Sequence, residues 1–509
     1  MFSSVLSASI IGMEVCPVHV EADVSNGLPS FQMVGFASSQ VKEAQDRVRT
    51  ALRNIEIDMP PKRIIVNLAP ADIRKEGAGF DLPVAVAVLA AMGRIGQNAV
   101  KNVLVMGELS LDGTVHGVNG ILPIVIHGRS VGVKRCMIPW ENMQEACLIQ
   151  DVELIGVRNL IEVLEYFQKM GLYKNKREVK TILRKKPQYD VDFSDVRGQS
   201  AAKRAAEIAV SGFHNLLLIG PPGTGKSMLA KRIPTILPPL TEEESLELTK
   251  IYSIAGLLSR EQPYITERPF RSPHHTVSAQ ALAGGGRNPK PGEITLAHRG
   301  VLFLDEMPEF SRKSLEILRQ PLEDGNVRLS RVNGTYCFPA RLLLVGAMNP
   351  CPCGYYPNMN RCTCSAQEVG QYLRKISQPL LDRMDVCVEV GEVDYEEIHR
   401  EKKAETSDVI RMRVEVAHER QAQRYAKESY RFNAELPAGD MERCCPVSRE
   451  GQMLLERIFS GGCLSVRGYH KILRVARTIA DMEDKELVEE THIQEAYGYR
   501  MIDKKFWKL

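Results

Sequence analysis

Two stretches of this 509-residue chain hold residue types at spacings that do chemistry. "GPPGTGKS", from Gly220 to Ser227, follows the apolar run Asn215 to Ile219 and leads into a helical pattern. Glycines let backbone N–H groups wrap phosphates, and a helix start adds partial positive charge. On this reading Gly220, Pro221, Pro222, Gly223, Thr224 and Gly225 cradle ATP, Lys226 reaches the β and γ phosphates, and Ser227 holds Mg²⁺. About 80 residues later, "GVLFLDEMPEF" is an apolar strand ending in Asp305 and Glu306. Asp305 can hold Mg²⁺ through water, and Glu306 can polarise the attacking water, so the pair points to hydrolysis and not to binding alone.

The second stretch, "NPCPCGYYPNMNRCTC" (Asn349 to Cys364), carries Cys351, Cys353, Cys362 and Cys364, four of the chain's 12 cysteines, as two Cys-x-Cys pairs. Four thiols around a spacer holding Gly, Pro and Asn have the ligand count of a closed tetrahedral zinc site, although each pair is more tightly spaced than is usual. Structural Zn²⁺ is expected, with free thiols or a redox pair as the alternatives. Cys444 and Cys445 are adjacent and read as unrelated.

These clusters need elements to place them. The chain is too long for one core, so about two to four domains are expected. With 44% hydrophobic and 25% charged residues it reads as globular. No apolar run approaches the roughly 20 residues of a membrane span. The start, "MFSSVLSASIIGMEV", lacks a basic stretch and a cleavage site and reads as a strand. The expected compartment is the reducing cytoplasm, where clustered cysteines bind metal or stay as thiols. A net charge of +3 is too small to imply nucleic acid, so any such contact must be local.

"KNKREVKTILRKK" (Lys174 to Lys186) has seven basic residues among thirteen. It reads as a linker with a solvated basic face in preference to a DNA contact. Upstream, the runs Arg63 to Pro70, Val103 to Leu111 and Lys134 to Trp140 read as strands, and Asp81 to Gly93 as a helix. Downstream, strands alternate with helices, which argues for a mostly parallel sheet. The tail is helical, and Thr491-x-x-Gln494 reads as a capping box. The expected organisation is α/β multidomain: residues 1–170, a basic linker at 171–191, an ATPase core at 192–395 and a helical lid at 396–509.

The phosphate loop, "LFLDE", a strand ending "AMN", then "LLDRMD" and "SVRGYHKILRVARTIAD" resemble the AAA+ ATPases, specifically the magnesium-chelatase-like branch and within it the ComM/YifB family. "RSPHHTVSAQALAGGG" (Arg271 to Gly286) resembles it too. The resemblance implies that Asn349 orients the lytic water and that Arg383 is an arginine finger reaching a neighbour's γ-phosphate. It further implies that Arg467 is a second sensor on the lid and that "DVRGQ" (Asp195 to Gln199) flanks the adenine. A structural salt bridge is the rival reading for each arginine. His274 and His275 lack further ligands at metal spacing and read as polar or DNA-facing.

Two inserts bear on what the motor acts on. Asn326 to Val345 holds Asn333-Gly334 between strand-like runs, a hairpin signal, with Arg328 and Arg331 on its first arm. Gly284 to Glu293 reads as a flexible loop with Arg287 and Lys290. The resemblance places such hairpins on DNA, which fits sequence-independent phosphate contact; solvated hairpins are the alternative. The N-terminal region resembles the Lon-protease fold through "ADIRKEGAGFDLPVAVAVLAAMG" and "MGELSLDGTVHGVNGILPI". Gly79 stands near the serine position and Ile121 and Leu122 near the lysine position, so no peptidase activity is expected. The implied function is a cytoplasmic, DNA-stimulated helicase that drives branch migration of incoming single-stranded DNA during natural transformation. Implied partners are single-stranded or branched DNA, a homo-oligomeric ring of six subunits and a recombinase, with no membrane. The rivals are a chelatase-type ATPase that remodels a metal-inserting partner and a nucleotide-gated scaffold.

Overall fold

The structure is a computed structural model that describes residues 1–35, 38–168, 189–259, 261–286, 288–331, 334–393, 404–461 and 465–507. Most of the expected linker, together with Arg287 and Asn333, lies outside them. The chain forms two compact units. One takes in the described residues of Met1–Arg184, Ser245–Ile265 and Arg287–Lys290; the other takes in those of Lys185–Glu244, Thr266–Gly286 and Pro291–Leu509.

The first unit is built on seven strands: β1 (Phe2–Ile11), β2 (Glu14–Ser25), β3 (Ser30–Val34), β4 (Arg63–Ala69), β5 (Val103–Val105), β6 (Arg135–Pro139) and β7 (Glu153–Val157). Their order is β3-β4-β2-β1-β5-β6-β7, antiparallel for β1–β2 and β2–β4 and parallel elsewhere. Helix Asp81–Ala91 is buried along its whole length, as its apolar run requires. Its single charge, Asp81, accepts from Arg47 Nε at 2.7 Å, Arg47 Nη2 at 2.9 Å and Leu109 N at 3.2 Å. The run from Val103 to Leu111 does not stay one strand. It breaks at Gly107, where a Cβ would come within 2.9 Å of Leu82 Cδ2, and Glu108–Leu109 forms a separate short strand. A Cβ on Gly79 would meet Met106 Cε at 3.1 Å, and Ile121 and Leu122 are fully buried. The positions that resemble a protease dyad are thus apolar packing sites.

In the second unit, β8 (Leu216–Ile219), β9 (Phe270–Arg271), β10 (Val301–Leu304), β13 (Leu343–Met348) and β14 (Val386–Glu389) form an all-parallel sheet in the order β9-β10-β13-β8-β14. Between β10 and β13 in sequence lies a hairpin of β11 (Asn326–Arg331) and β12 (Gly334–Pro339). The central strand residues are buried on both faces, which is why they read as unbroken apolar runs. Helices Ser200–Gly212, Ser407–Arg424 and Val466–Met482 share this core. Helix Val466–Met482 is tied to the segment entering β14, where Lys471 Nζ donates to Met384 O at 3.0 Å and lies 3.4 Å from Asp385, and helix Ser407–Arg424 is tied to helix Ser200–Gly212, where His418 Nε2 meets Val210 O at 3.0 Å.

The final helix, Glu490–Trp507, starts before the expected capping box. Thr491 is already helical, and the Glu489 N–H is taken by His492 Nδ1 at 2.9 Å, so a ring nitrogen caps this end.

Candidate nucleotide site and thiol cluster

Parallel strands bring their C-terminal ends to one edge, and the loops leaving β8, β10 and β13 carry Gly220–Ser227, Asp305–Glu306 and Asn349 respectively. Lys226 opens helix Lys226–Ala230, and its Nζ donates to Gly220 O at 2.7 Å, Pro221 O at 2.7 Å and Asn349 Oδ1 at 3.1 Å. Burial pulls its ammonium down to about 8, partly offset by the Asp305 carboxylate. Ser227 Oγ donates to Asp305 Oδ2 at 2.6 Å. The two oxygen groups assigned to Mg²⁺ are therefore adjacent, which suits a hard cation that takes few protein ligands. Gly223 and Gly225 have φ of +79° and +88°, and nothing lies within 4 Å of where a Cβ would sit on either. The loop thus has the open backbone concavity that a phosphate chain requires. Gln199 Nε2 reaches Thr224 O at 3.3 Å and Gly391 O at 2.6 Å, which sets the "DVRGQ" segment against this loop.

Glu306 is left-handed (φ 48°, ψ 46°), an uncommon state for a residue with a Cβ. Its side chain is 62% exposed, and its carboxylate lies 3.6 Å from His275 Nδ1. The sequence pattern alone assigns His275 no part in this site. Only the adjacency of β9 and β10 brings the two together.

The thiol loop begins directly after Asn349. The Sγ atoms of Cys351, Cys353, Cys362 and Cys364 all lie within 4.8 Å of one another. The Cys351–Cys353 separation is 3.3 Å, Cys353–Cys362 3.6 Å and Cys351–Cys362 3.8 Å. These separations exceed the roughly 2.05 Å of a disulfide. They match a tetrahedron with metal–sulfur bonds of about 2.3 Å, whose edge is about 3.8 Å. Gly354 N and Tyr356 N donate to Cys351 Sγ at 3.2 and 3.4 Å. At Cys353, burial raises the thiol, but backbone N–H groups of Tyr355 and Thr363 and the neighbouring thiols bring it down to about 6. Burial pushes Cys364 up to about 12. Gly354 (φ +89°) approaches the phosphate loop so closely that a Cβ would stand 2.5 Å from Pro222 Cδ.

The arginines lie elsewhere. Asn215, one residue before β8, donates through Nδ2 to Arg383 O at 2.9 Å, and its N–H donates to Asp385 Oδ2 at 3.1 Å. Arg383 is therefore at the N-terminal end of the sheet, across the roughly 13 Å length of a four-residue strand from Lys226. Its guanidinium donates to Arg319 O at 3.1 Å and Pro379 O at 2.7 Å and pairs with Glu323. Arg467, at the start of helix Val466–Met482, joins it in lining a cavity of about 580 Å³ with Lys471, Arg474, Glu323 and Asp385. Arg328 is exposed and pairs in register with Cys337; Arg331, also exposed, is at the hairpin end opposite Gly334. Three residues apart on a strand, these two arginines project to opposite faces of the ladder. Lys290 is exposed in the two-residue strand Lys290–Pro291, so this part of the insert has regular structure where a flexible loop is expected.

Comparison with known proteins decides the family. The chain is 41% identical over 510 residues to the competence protein ComM of Haemophilus influenzae, covering 99% of this chain and 98% of that protein. It is also 41% identical to YifB of Salmonella typhimurium, over 97% of this chain and 96% of that one. The chain belongs to the ComM/YifB family. Family models for magnesium chelatase subunit ChlI match residues 192–398, for subunit ChlI of Mg-chelatase residues 20–142, and for the ChlI C-terminal region residues 404–500. Lon protease 2 of Bacillus subtilis is 31% identical over 130 residues, covering 25% of this chain and 23% of that protein. The fold is thus that of a magnesium-chelatase-like AAA+ protein with a Lon-like N-terminal region. Among the described residues no helix is long and apolar enough to cross a membrane.

The phosphate loop gives a contrast that tests its packing. A Cβ on Gly220 would lie 2.1 Å from Val390 O, a backbone atom that cannot step aside, whereas one on Gly223 meets only open space at φ +79°. Gly220→Ala should therefore lower the thermal midpoint far more than Gly223→Ala. The latter carries only the left-handed penalty of about 1–2 kcal/mol. Paired melting curves measure the difference.

Proposed function

We propose that the chain is a cytoplasmic, ring-forming ATP hydrolase that moves on DNA. The observation that carries the ATPase part is the division of groups between the two ends of one parallel sheet. The C-terminal edge gathers Lys226, the Ser227–Asp305 pair, Glu306 and Asn349. On this reading Lys226 and the loop N–H groups bind the β and γ phosphates, Ser227 and Asp305 hold Mg²⁺, Asn349 orients water and Glu306 takes its proton. The Mg²⁺ would neutralise charge on the phosphate oxygens. Arg383 and Arg467 lie at the other end, facing away from their own phosphate loop. They can act on a γ-phosphate only if a neighbouring subunit presents one, which is the logic of a closed ring, six subunits being the number proposed. The four thiols are read as a structural Zn²⁺ site that fixes the turn between Asn349 and the next helix and braces Pro222.

DNA as substrate rests on two supports: the exposed cations Arg328, Arg331 and Lys290, and the near-full-length likeness to a protein named for competence. Such a motor would drive branch migration of incoming single-stranded DNA, alongside a recombinase. A second reading is favoured by the chelatase family models: an ATPase that remodels a metal-inserting partner. ATPase assays without DNA and with single-stranded, duplex, forked and four-way DNA separate the two. Stimulation by DNA supports the motor; indifference to every DNA supports the chelatase-like reading.

Lys226→Ala should lose ATP binding, while Glu306→Gln should bind ATP and turn it over at least 100-fold more slowly, roughly the share a general base contributes. Arg383→Ala should bind ATP and be inactive. Mixing it with Lys226→Ala protein should recover turnover, because one subunit supplies the finger and the other the pocket. No recovery would count against a finger acting in trans.

Protein purified without chelator or oxidant should carry about one zinc per chain, as one Cys₄ site demands. Elemental analysis finding none would remove the site. Replacing Arg328 and Arg331 by Ala should lower the slope of log affinity against log salt by roughly 0.7–0.9 for each phosphate no longer neutralised. Basal ATPase should persist.

A further inference from the structure

We infer that His470 donates to the phosphate chain of the ATP held by a neighbouring subunit, beside Arg383 and Arg467. The inference rests on the reading of those two arginines as acting on a neighbour's nucleotide. Helix Val466–Met482 opens on Ser465, whose Oγ accepts the Gly468 N–H at 3.1 Å. Arg467, His470, Lys471 and Arg474 then follow three or four residues apart, which puts them on one face of the helix. All four line the cavity of about 580 Å³ that Arg383 also lines. His470 stands about 4.5 Å along the helix axis from Arg467.

This face is cationic, and part of its charge is already used. Lys471 Nζ donates to Met384 O at 3.0 Å and pairs with Asp385 at 3.4 Å, while Arg474 Nε donates to Leu436 O at 2.8 Å. Three acids of the cavity are engaged as well. Glu323 pairs with Arg383, and Asp385 also accepts the Asn215 N–H at 3.1 Å. Glu435 accepts the N–H groups of Arg431 at 2.8 Å and Phe432 at 3.4 Å. No described residue forms a hydrogen bond or ion pair with the side chain of Arg467 or His470. These two are the helix's donors left for a ligand, and the cations around them select an anionic one.

The His470 ring is also held in place. It is half-buried and meets the Tyr469 ring at 5.6 Å and 63°, and Tyr469 in turn meets the edge of Phe459 at 6.2 Å and 81°. Burial and the Arg474 charge hold its imidazole below the ordinary histidine range. At neutral pH the ring is therefore uncharged, with one nitrogen a donor and the other an acceptor. Oxygens of a triphosphate are strong acceptors for such an N–H. The chain's own phosphate loop lies at the other end of the sheet from this cavity, so the triphosphate that His470 meets belongs to the next copy.

The test uses mixtures of full-length chains. Lys226→Ala protein supplies the arginine face, Arg383→Ala protein supplies the pocket, and the ATP turnover of their mixture is the reference. Adding His470→Ala to the Lys226→Ala chain should cut that turnover about tenfold, the share of one hydrogen bond to a charged group. Adding it instead to the Arg383→Ala chain should leave the turnover within about twofold, because the arginine face of that chain is already inactive. His470→Gln, which keeps an N–H donor, should retain most of the turnover when placed in the Lys226→Ala chain. Equal losses from either placement mark a structural role and overturn the inference. So does no loss from either, or a His470→Gln chain as poor as His470→Ala. A reference mixture that recovers no turnover overturns the reading of Arg383 itself, and this inference falls with it.

Discussion

The nucleotide-binding unit depends on the shared direction of five short strands. Because β9, β10, β13, β8 and β14 all run parallel, the loop leaving each strand emerges at one edge and the segment entering it lies at the other. A single ammonium then ties that first edge together. Lys226 Nζ is shared between two carbonyls of its own loop and the Asn349 side chain, so the phosphate loop and the end of β13 are set by the same three hydrogen bonds. In a partly desolvated site such bonds are strong, and an ammonium left without acceptors there would be costly. A triphosphate would exchange these neutral acceptors for anionic ones.

The same directionality separates the arginines from the phosphate loop. Arg383 and Arg467 converge on a cavity at the opposite ends of the strands, where Glu323 pairs with Arg383 and Asp385 with Lys471. On the proposed reading of Arg383 and Arg467, each chain would carry half of an active site on each of two faces. Identical copies would then complete both halves by packing one face against the other, and such a heterologous contact closes into a ring or runs on as a filament.

The thiol loop connects to this edge twice. It begins at Asn349, which Lys226 holds, and its glycine knuckle lies against Pro222 of the phosphate loop. Metal bound by the four sulfurs, as proposed, would limit the freedom of a loop that must otherwise be open enough to wrap phosphates. Rigidity would then come from beside the glycines and not from the glycines themselves, the compromise that a backbone anion site needs.

Much of this was legible in the chain itself, and the reason is locality. Strand, glycine loop and helix are contiguous from Asn215 to Ala230, so their geometry derives from residues that are neighbours in sequence. The buried strands ending in Asp305 and Asn349 announced themselves as apolar runs, and the four cysteines lie within fourteen residues of one another. The divergence of the Lon-like region was visible too, because Gly79 and Leu122 stand at the positions that resemble a protease dyad and both are packed against apolar side chains. What the sequence misplaced was equally local: Thr491 looked like a cap, but the helix starts earlier because His492 takes the Glu489 N–H. Only the tertiary structure decided which distant groups meet. His275 faces Glu306 because β9 pairs with β10, and Gly354 meets Pro222 because β13, which leads into the thiol loop, pairs with β8. Arg467 joins Arg383 because the last helices pack on the N-terminal ends of the strands. Motifs are short-range facts that composition and spacing reveal, whereas these pairings are set by strand order, which no stretch of the chain encodes alone.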